Sequence, residues 1–540
     1  MAFYYEKTSH FFCIENRYLY NVGMKNKGLF FILISTISLS GCSIVPVSIS
    51  SSSMSTSDNT SSNSNNTSSS ESSESSLEPS SNSGKTSEHS SSSSSSSTSS
   101  SSASSSNSSS SSIPEEKSLA ELFFDPSTKI EFIMDFSSDA LDNLSSCGET
   151  SNTKYHDVYH PCTLTVKIND ETTVIPEVGA RMKGNTSRRS IFEGPVNFKL
   201  SFNQTFEKEY PDDPYCPEYT PTTDEKRKDR LFLDEYKKLD LKWNKNRDNT
   251  FTKELYANHI LESEGVMTQK INMCKVTVKQ DGMNLAGSTD LYYHVYETVD
   301  KPFLKRRLAS KATKGDLYKS AWPANLNTFE RYGVEDNYND QHYVYNLKTN
   351  ESDSNHSALA NCIGKINQTG AVTTKIKQDI ESAVDIDYLL RYSACMWVIG
   401  NPDDFRYNDN NTYFYFNSDN DKLYLIPYDN DRCFGIMEDW YVDLSRSSPT
   451  DKRNAGGGQS QSHLLWRTIL DISKNNWPIV SEWQERYLEY CDTFAHRYLD
   501  VNKFRSFTSS FALKPSNNID DGGSENQSFA YYASNKLGTL

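Results

Sequence analysis

Along the chain the spacing of apolar residues changes character. Polar and apolar positions roughly alternate in Lys129-Ile130-Glu131-Phe132-Ile133-Met134, in Cys162–Ile168 and in Val196–Phe202, and Asp, Asn, Gly or Pro bound each stretch. Alternation with a period of two marks half-buried strands, so these segments predict an antiparallel sheet of three or more strands. Thr250–Gly265 differs: Phe251, Leu255, Ile260 and Leu261 recur with helical spacing, with acids and bases between them. Strands resume at Ile271–Lys279 and Ser288–Thr298. From about Lys311 helical spacing takes over, at Thr374–Ile399, Ser462–Ile472 and Ile479–Tyr498, interrupted by a strand–turn–strand passage at Thr412–Phe434. The expected class is α+β, a β-rich half preceding a mainly helical one.

The chain ahead of these elements has a different composition. From Ser50 to about Ser112 it is almost all Ser, with Thr, Asn and a few Glu, and offers hardly an apolar group to offset ordering entropy. As a random coil, about 60 such residues reach on the order of 45 Å, so the segment is expected to act as a tether. Upstream, Met24-Lys25-Asn26-Lys27 precedes the apolar run Gly28–Leu39, which is too short to span a bilayer, and the run ends in Leu39-Ser40-Gly41-Cys42. This resembles a bacterial lipobox, which implies translation from Met24, lipidation of Cys42 and removal of what precedes it. The expected divisions are a signal region at 1–41, a tether at 42–115, a β-rich part at 116–310, a helical part with the hairpin at 311–515, and a C-terminal tail at 516–540.

Net charge is −16, which argues against a nucleic-acid partner. Apart from Cys42, the later cysteines are scattered singly, with no CxxC pair or Cys/His spacing for zinc. A Cys147–Cys162 disulfide and simple buried thiols both fit that pattern.

The densest chemistry lies in Gly400-Asn401-Pro402-Asp403-Asp404-Phe405-Arg406-Tyr407-Asn408-Asp409-Asn410-Asn411. The aromatic run Tyr413-Phe414-Tyr415-Phe416 follows, and then Leu423-Tyr424-Leu425-Ile426-Pro427-Tyr428-Asp429-Asn430-Asp431. If the two runs pair across a turn at Asn417–Asp421, the carboxylates before the first strand and after the second arrive at the same end. Such an oxygen-rich site suits magnesium, which takes one or two carboxylates with phosphate oxygens and water. An Asx-rich turn capping a hairpin is the simpler structural alternative.

Asn-Pro-Asp-Asp, Asn-Asn before an aromatic strand and Ile-Pro-Tyr-Asp-x-Asp-Arg-x-x-Gly ending at Gly435 together resemble the signature of the CotH kinase family. The likeness extends upstream in order. Arg181-Met182-Lys183-Gly184-Asn185-Thr186-Ser187 is similar to the family's Arg-Gly-Asn-x-Ser segment, and Val196-Asn197-Phe198-Lys199-Leu200 to the lysine-bearing strand after it. Lys238-Leu239-Asp240-Leu241, Asp248-x-x-Phe251-x-x-Glu254-Leu255, Tyr296-Glu297-Thr298-Val299-Asp300 and Gly315-Asp316-Leu317-Tyr318-Lys319 continue it. Three positions depart from the pattern: Lys183 stands where Arg is usual, and Tyr428 and Asn430 replace the Trp and apolar residue of Pro-Trp-Asp-x-Asp. All carboxylates of the pattern are kept.

The resemblance implies a bilobed, protein-kinase-like fold and transfer of phosphate from ATP, with magnesium or manganese, to Ser or Thr of a protein partner. It implies that Asp404, or its neighbour Asp403, takes or orients the hydroxyl proton, and that Asn411 and Asp429 hold the metal with Asp431 behind them. Lys199 would contact phosphate and could pair with Glu254, Lys183 would lie in the nucleotide contacts, and Tyr428 could stack on adenine. The Gly184 turn could offer N–H groups to phosphate, although a plain turn is the simpler reading. The lipobox would put this domain outside the cell membrane. That setting leaves room for a catalytically silent surface-binding or coat-assembly protein on the same fold. A carboxylate-based hydrolase using Asp403, Asp404 and Asp429 fits the nearby lysines less well.

Overall fold

The computed structural model describes residues 117–540, apart from 185–186, 245, 247, 323, 328–331, 334–343, 369–372, 437–442, 452–465, 467, 471–479 and 516–527. The signal region, Cys42, the Ser-rich stretch and most of the helix expected at Ser462–Ile472 lie outside the described residues. None of the described helices is long and apolar enough to cross a membrane.

The first sheet is built from β1 (Ile130–Phe136), β2 (His160–Ile168), β3 (Glu171–Lys183), β4 (Asn197–Ser201), β5 (Lys238–Trp243), β6 (Ile271–Gln280), β7 (Met283–Asn284) and β8 (Leu291–Glu297). Its order is β1-β2-β3-β4-β5-β8-β6-β7, and β1 also pairs in parallel with β6. The sheet therefore closes on itself, which removes the two open edges that an antiparallel sheet of this length would otherwise leave. Alternation is clean in β1 and β2, whereas across the expected Val196–Phe202 strand every residue but Lys199 is buried. In β1, Ile130, Phe132, Met134 and Phe136 are buried and the residues between them half-buried. They share a core with Leu164, Val166, Phe198, Leu200, Leu239, Leu241, Val276 and Val295.

Two short helices flank β1. α1 (Leu119–Phe123) begins with a reciprocal capping box between Ser118 and Glu121. α2 (Ser138–Glu149), capped by Ser137, buries Leu141 and Leu144 in the same core. Helix α3 (Lys253–Ser263) matches the helix expected in Thr250–Gly265. No side chain of its own first position caps it. Instead Asp248 accepts from the N–H groups of Thr250 (3.0 Å) and Lys253 (2.9 Å), so the Asp248-x-x-Phe251-x-x-Glu254 motif fixes where the helix starts and where Glu254 points.

The segment after β8 joins this sheet to the rest. Glu297 is fully buried and paired with Arg306 and Arg307 of α4 (Lys301–Arg307), at 2.5 Å each. Asp300 caps the same helix by accepting from the Phe303 N–H at 3.1 Å. Tyr296-Glu297-Thr298-Val299-Asp300 is thus largely a structural motif. Val299, Phe303 and Leu304 pack against Leu317, Tyr413, Tyr415 and Ile426 of a second sheet.

That second sheet contains β9 (Leu317–Ser320), β10 (Tyr332–Gly333), β11 (Tyr345–Leu347), β12 (Thr412–Phe416) and β13 (Leu423–Pro427), in the order β10-β11-β9-β12-β13. Around it lie α5 (Ser357–Ile366), α6 (Thr374–Ala383), α7 (Ile386–Ile399), the one-turn α8 (Phe405–Asn408), α9 (Ser481–Tyr498), α10 (Val501–Ser509) and α11 (Phe529–Leu537). The single helix expected over Thr374–Ile399 is two, because the chain becomes extended at Val384 and Asp385 restarts it by capping Tyr388. Every residue of α7 from Tyr388 to Ile399 except Arg391 is buried, as its near-continuous apolar run requires.

The chain's end is not a free tail. In α11, Phe529 stacks on Phe504 at 4.2 Å, and the Tyr532 hydroxyl donates to the Val398 carbonyl at 2.9 Å. The Lys536 ammonium, wholly buried, donates to the Leu444 carbonyl at 2.7 Å. The last helix is therefore part of the core that surrounds α7. The eight cysteines from Cys147 onward are free and buried, which resolves the disulfide question for the described chain in favour of thiols.

Candidate active site

The expected hairpin forms, and with it the convergence of its two acidic ends. Thr412 pairs with Pro427 and Phe416 with Leu423. Just beyond the last pair, the Tyr428 N–H donates to the Asn411 carbonyl at 3.0 Å. Asn411 and Asp429 both adopt left-handed backbone conformations, with φ of 51° and 62°. The chain thereby turns sharply at each strand end instead of continuing the ladder, and short polar side chains tolerate that turn best.

Side-chain amides then lock the two ends together. Asn411 donates to the Asp403 carbonyl at 2.9 Å. Asn401 donates to the Asp429 carbonyl at 3.3 Å and to the Asn430 side chain at 3.1 Å, and Asn430 donates in turn to Asn258 on α3 at 3.2 Å. The Asn residues that could have been simple turn formers are the fastening between the hairpin and the helix carrying Glu254. Asn430, where the family pattern has an apolar residue, is one of these links.

The two neighbouring aspartates occupy different environments. Asp404 is 1% exposed and caps α8 by accepting from the Tyr407 N–H at 2.6 Å. Its other oxygen has no hydrogen-bond partner, and burial pushes its carboxyl up to about 7 against the pull of Arg406. Asp403 is half-buried and accepts from Asn408 (2.7 Å) and Asn410 (3.1 Å). Burial raises its pKa too, the two amides oppose the rise, and Asp429 adds to it.

The cationic partner of this end of the cleft is a residue the sequence reading passed over. Lys242, at the end of β5, contacts Asp429, stands 2.7 Å from Asp431 and lies 3.6 Å from Glu254. Burial opposes its charge, but the three carboxylates outweigh it and hold the ammonium charged well above the ordinary lysine range. Burial likewise opposes ionisation of Asp429 and Glu254, and Lys242 holds both below the usual carboxylate range. Asp431 goes the other way, up to about 7, because burial and its acidic neighbours outweigh the lysine. Glu254 also accepts from the Tyr296 hydroxyl at 2.6 Å.

Lys199 does not meet Glu254. Strand register sets Lys199 opposite Asp240 of β5, and both Lys199 (3.3 Å) and Lys183 (2.8 Å) pair with the Asp240 carboxylate. Those two lysines hold Asp240 ionised in spite of its burial. The clue to Lys242 was in the alternation of Lys238-Leu239-Asp240-Leu241-Lys242: the two leucines face the core, so the charged residues share the opposite face.

Tyr428 is half-buried, with its ring centroid 5.0 Å from that of Tyr413 and the Lys319 ammonium 5.1 Å away. At the Gly184 turn, Asn185 and Thr186 lie outside the described residues, and Arg188 donates to the Gly184 carbonyl at 2.7 Å.

Among the described residues no three His, Cys, Asp or Glu side chains gather into a metal cage. Magnesium does not need one, since it binds through one or two carboxylates plus phosphate and water. Asp429 and Asp431 offer that set. Asp429 remains 39% exposed, and the amide oxygen of Asn411 is a further hard donor.

The model of the family described as CotH kinase protein matches residues 181–509, a span that holds every residue of this site. The chain belongs to the CotH kinase family. No curated protein matches it. Among solved structures it is similar to the Helicobacter pylori proinflammatory kinase CtkA, at 12% identity, covering 57% of this chain and 93% of that one. The TM-score is 0.23, too low for that likeness to place any residue here.

Proposed function

We propose that this CotH kinase family member is an ATP-dependent protein kinase acting on Ser or Thr hydroxyls, with Asp403 as the proton acceptor. The observation that carries the reading is the meeting of two acidic strand ends with a band of lysines. Carboxylates for a metal lie at Lys242, and cations for phosphate lie around Asp240. Phosphoryl transfer asks mainly for such positioning and charge compensation. Bound magnesium or manganese would neutralise phosphate charge, held by Asp429 and Asn411 with Asp431 beside them.

Lys183 and Lys199 supply positive charge to the phosphates from the first sheet, and the Lys242–Glu254 pair keeps β5 and α3 in register with the hairpin. Asp403, half-buried at the mouth of the acidic end and drawn toward the protonated form by burial, is suited to accept a proton from an incoming hydroxyl. Asp404 supports it by capping α8. The adenine subsite is proposed beside Tyr428. For the setting, the lipobox at Leu39-Ser40-Gly41-Cys42 supports a lipid-anchored protein outside the cell membrane, with a Ser/Thr-bearing protein as its partner. Substitution of Cys42 by Ala should then release the chain from the membrane fraction.

The test is transfer of the γ-phosphate from labelled ATP by the purified full-length chain, with magnesium and then manganese, to itself and to general acceptor proteins. Activity that disappears in Asp429→Asn supports the reading. A wild-type chain that neither transfers phosphate nor binds ATP with either metal would overturn it in favour of a surface-binding role.

A further inference from the structure

The Gly315-Asp316-Leu317-Tyr318-Lys319 motif ends on a lysine to which the site described so far gives no task. β9 carries it in the second sheet, where Lys319 lies opposite Tyr413 of β12, with its ammonium 5.1 Å from the centre of the Tyr428 ring. Lys183 and Lys199 come from β3 and β4 of the first sheet and share one carboxylate, Asp240. Lys319 is half-buried and makes no ion pair among the described residues. Lys319 thus adds a third ammonium, from the second sheet, to the two that share Asp240, with Asp429 the other carboxylate near it, and ammonium charge crowded away from water is costly unless a counter-charge joins it.

We propose that Lys319 is a third phosphate-holding side chain of the cleft, contributed by the second sheet and closing the anion site opposite Lys183 and Lys199. This rests on the kinase reading above and extends it: the ligand favoured is a polyphosphate group, not a nucleoside or a monophosphate. The electrostatics agree. Burial first, then Lys183, Lys199 and Lys348, push the Lys319 ammonium down to about 7, with Asp240 opposing them. Its remaining charged neighbour in the cleft, Asp429, is held ionised chiefly by Lys242 and then Lys183, and only weakly by Lys319. An entering polyanion would supply the missing negative charge and draw the two sheets together across it.

Calorimetry on the full-length chain tests this with inorganic tripolyphosphate and with ATP as probes, and adenosine as the uncharged control. Lys319→Gln should weaken tripolyphosphate binding about ten- to a hundred-fold, the effect of losing a charge-assisted hydrogen bond. Lys319→Arg should stay within a few-fold, and adenosine binding should not change between variants. Thermal melts identify any variant that has lost its fold, and Lys319→Arg keeps the question open to test if Lys319→Gln has. Tripolyphosphate binding that is unaltered in Lys319→Gln, or absent from the wild type, overturns the proposal. Phosphate transfer, scored separately, leaves the kinase reading to stand or fall on its own result.

Discussion

Lys242 of β5 lies 3.6 Å from Glu254 of α3 while also reaching Asp431 at 2.7 Å. One ammonium thus ties the first sheet, its helix and the end of the β12–β13 hairpin. Removing it should leave three carboxylates facing one another. Lys242→Met should destabilise the metal-free chain by about 2–4 kcal/mol, somewhat below the cost of breaking a fully buried pair because Asp429 keeps contact with water. Magnesium should then raise the melting temperature of Lys242→Met more than that of the wild type, since a cation can take the place the ammonium left. Differential scanning fluorimetry with and without magnesium checks this. Equal shifts in both proteins would mean that the acidic end does not attract the metal.

That relationship also marks what could be read from the sequence. The hairpin was legible because Tyr413–Phe416 and Leu423–Ile426 are strongly apolar and bracket an Asn/Asp turn. The gathering of Asp403, Asn411 and Asp429 followed from pairing alone. The lysine partner of Glu254 was not legible, because motif order pointed to Lys199, whereas the choice depends on which strand neighbours which and in what register. The closed first sheet was hidden for a similar reason: the pairing of β1 with β6 joins residues 131–136 to 275–280, and nothing local encodes a contact of that range. Helix α11 was missed because it is only nine residues long and follows a polar stretch. Its place is fixed by partners such as Phe504 and Val398, far off in sequence.

Asp403 and Asp404 should separate cleanly in kinetics. Asn at position 404 can still accept from the Tyr407 N–H, so the cap of α8 survives and Asp404→Asn should change transfer by less than about ten-fold. Asp403→Asn should leave ATP affinity within a few-fold and lower single-turnover transfer by about 10²–10⁴-fold, the range for loss of a general base. The opposite ranking would reassign the base to Asp404 and leave the rest of the site unchanged.

Gly400 ends α7 with φ of 62°, and a Cβ there would run into the Tyr532 hydroxyl of α11. Gly400→Ala should therefore cost about 2 kcal/mol or more, from the left-handed backbone and from displacement of Tyr532. Tyr532→Phe removes the clashing atom along with its bond to Val398. The double variant Gly400→Ala/Tyr532→Phe should consequently be more stable than the sum of the two single losses predicts, as measured by urea unfolding. Additive losses would show that the final helix does not bear on the end of α7.

Stability should also carry the mark of Asp404. Burial raises its carboxyl to about 7 in the folded chain, from an ordinary value of 3.8. Between those two values the folded state therefore holds a proton that the unfolded chain has released. Stability then falls as pH rises, because the slope follows the protons bound by the unfolded minus the folded state, which is negative over this window. The contribution is constant below about pH 4, is lost progressively up to about 7, and then levels off. At about 1.4 kcal/mol per unit, the full loss is on the order of 4 kcal/mol. Asp404→Asn cannot ionise and should escape it, whereas Asp431, also raised to about 7, titrates in both proteins and cancels from the difference. The stability of Asp404→Asn relative to wild type, measured by chemical unfolding at pH 5, 6, 7 and 8, should thus climb with pH and flatten above 7. A difference that does not change over that range would mean that Asp404 ionises at an ordinary pKa and has a source of solvation beyond the Tyr407 N–H and Arg406.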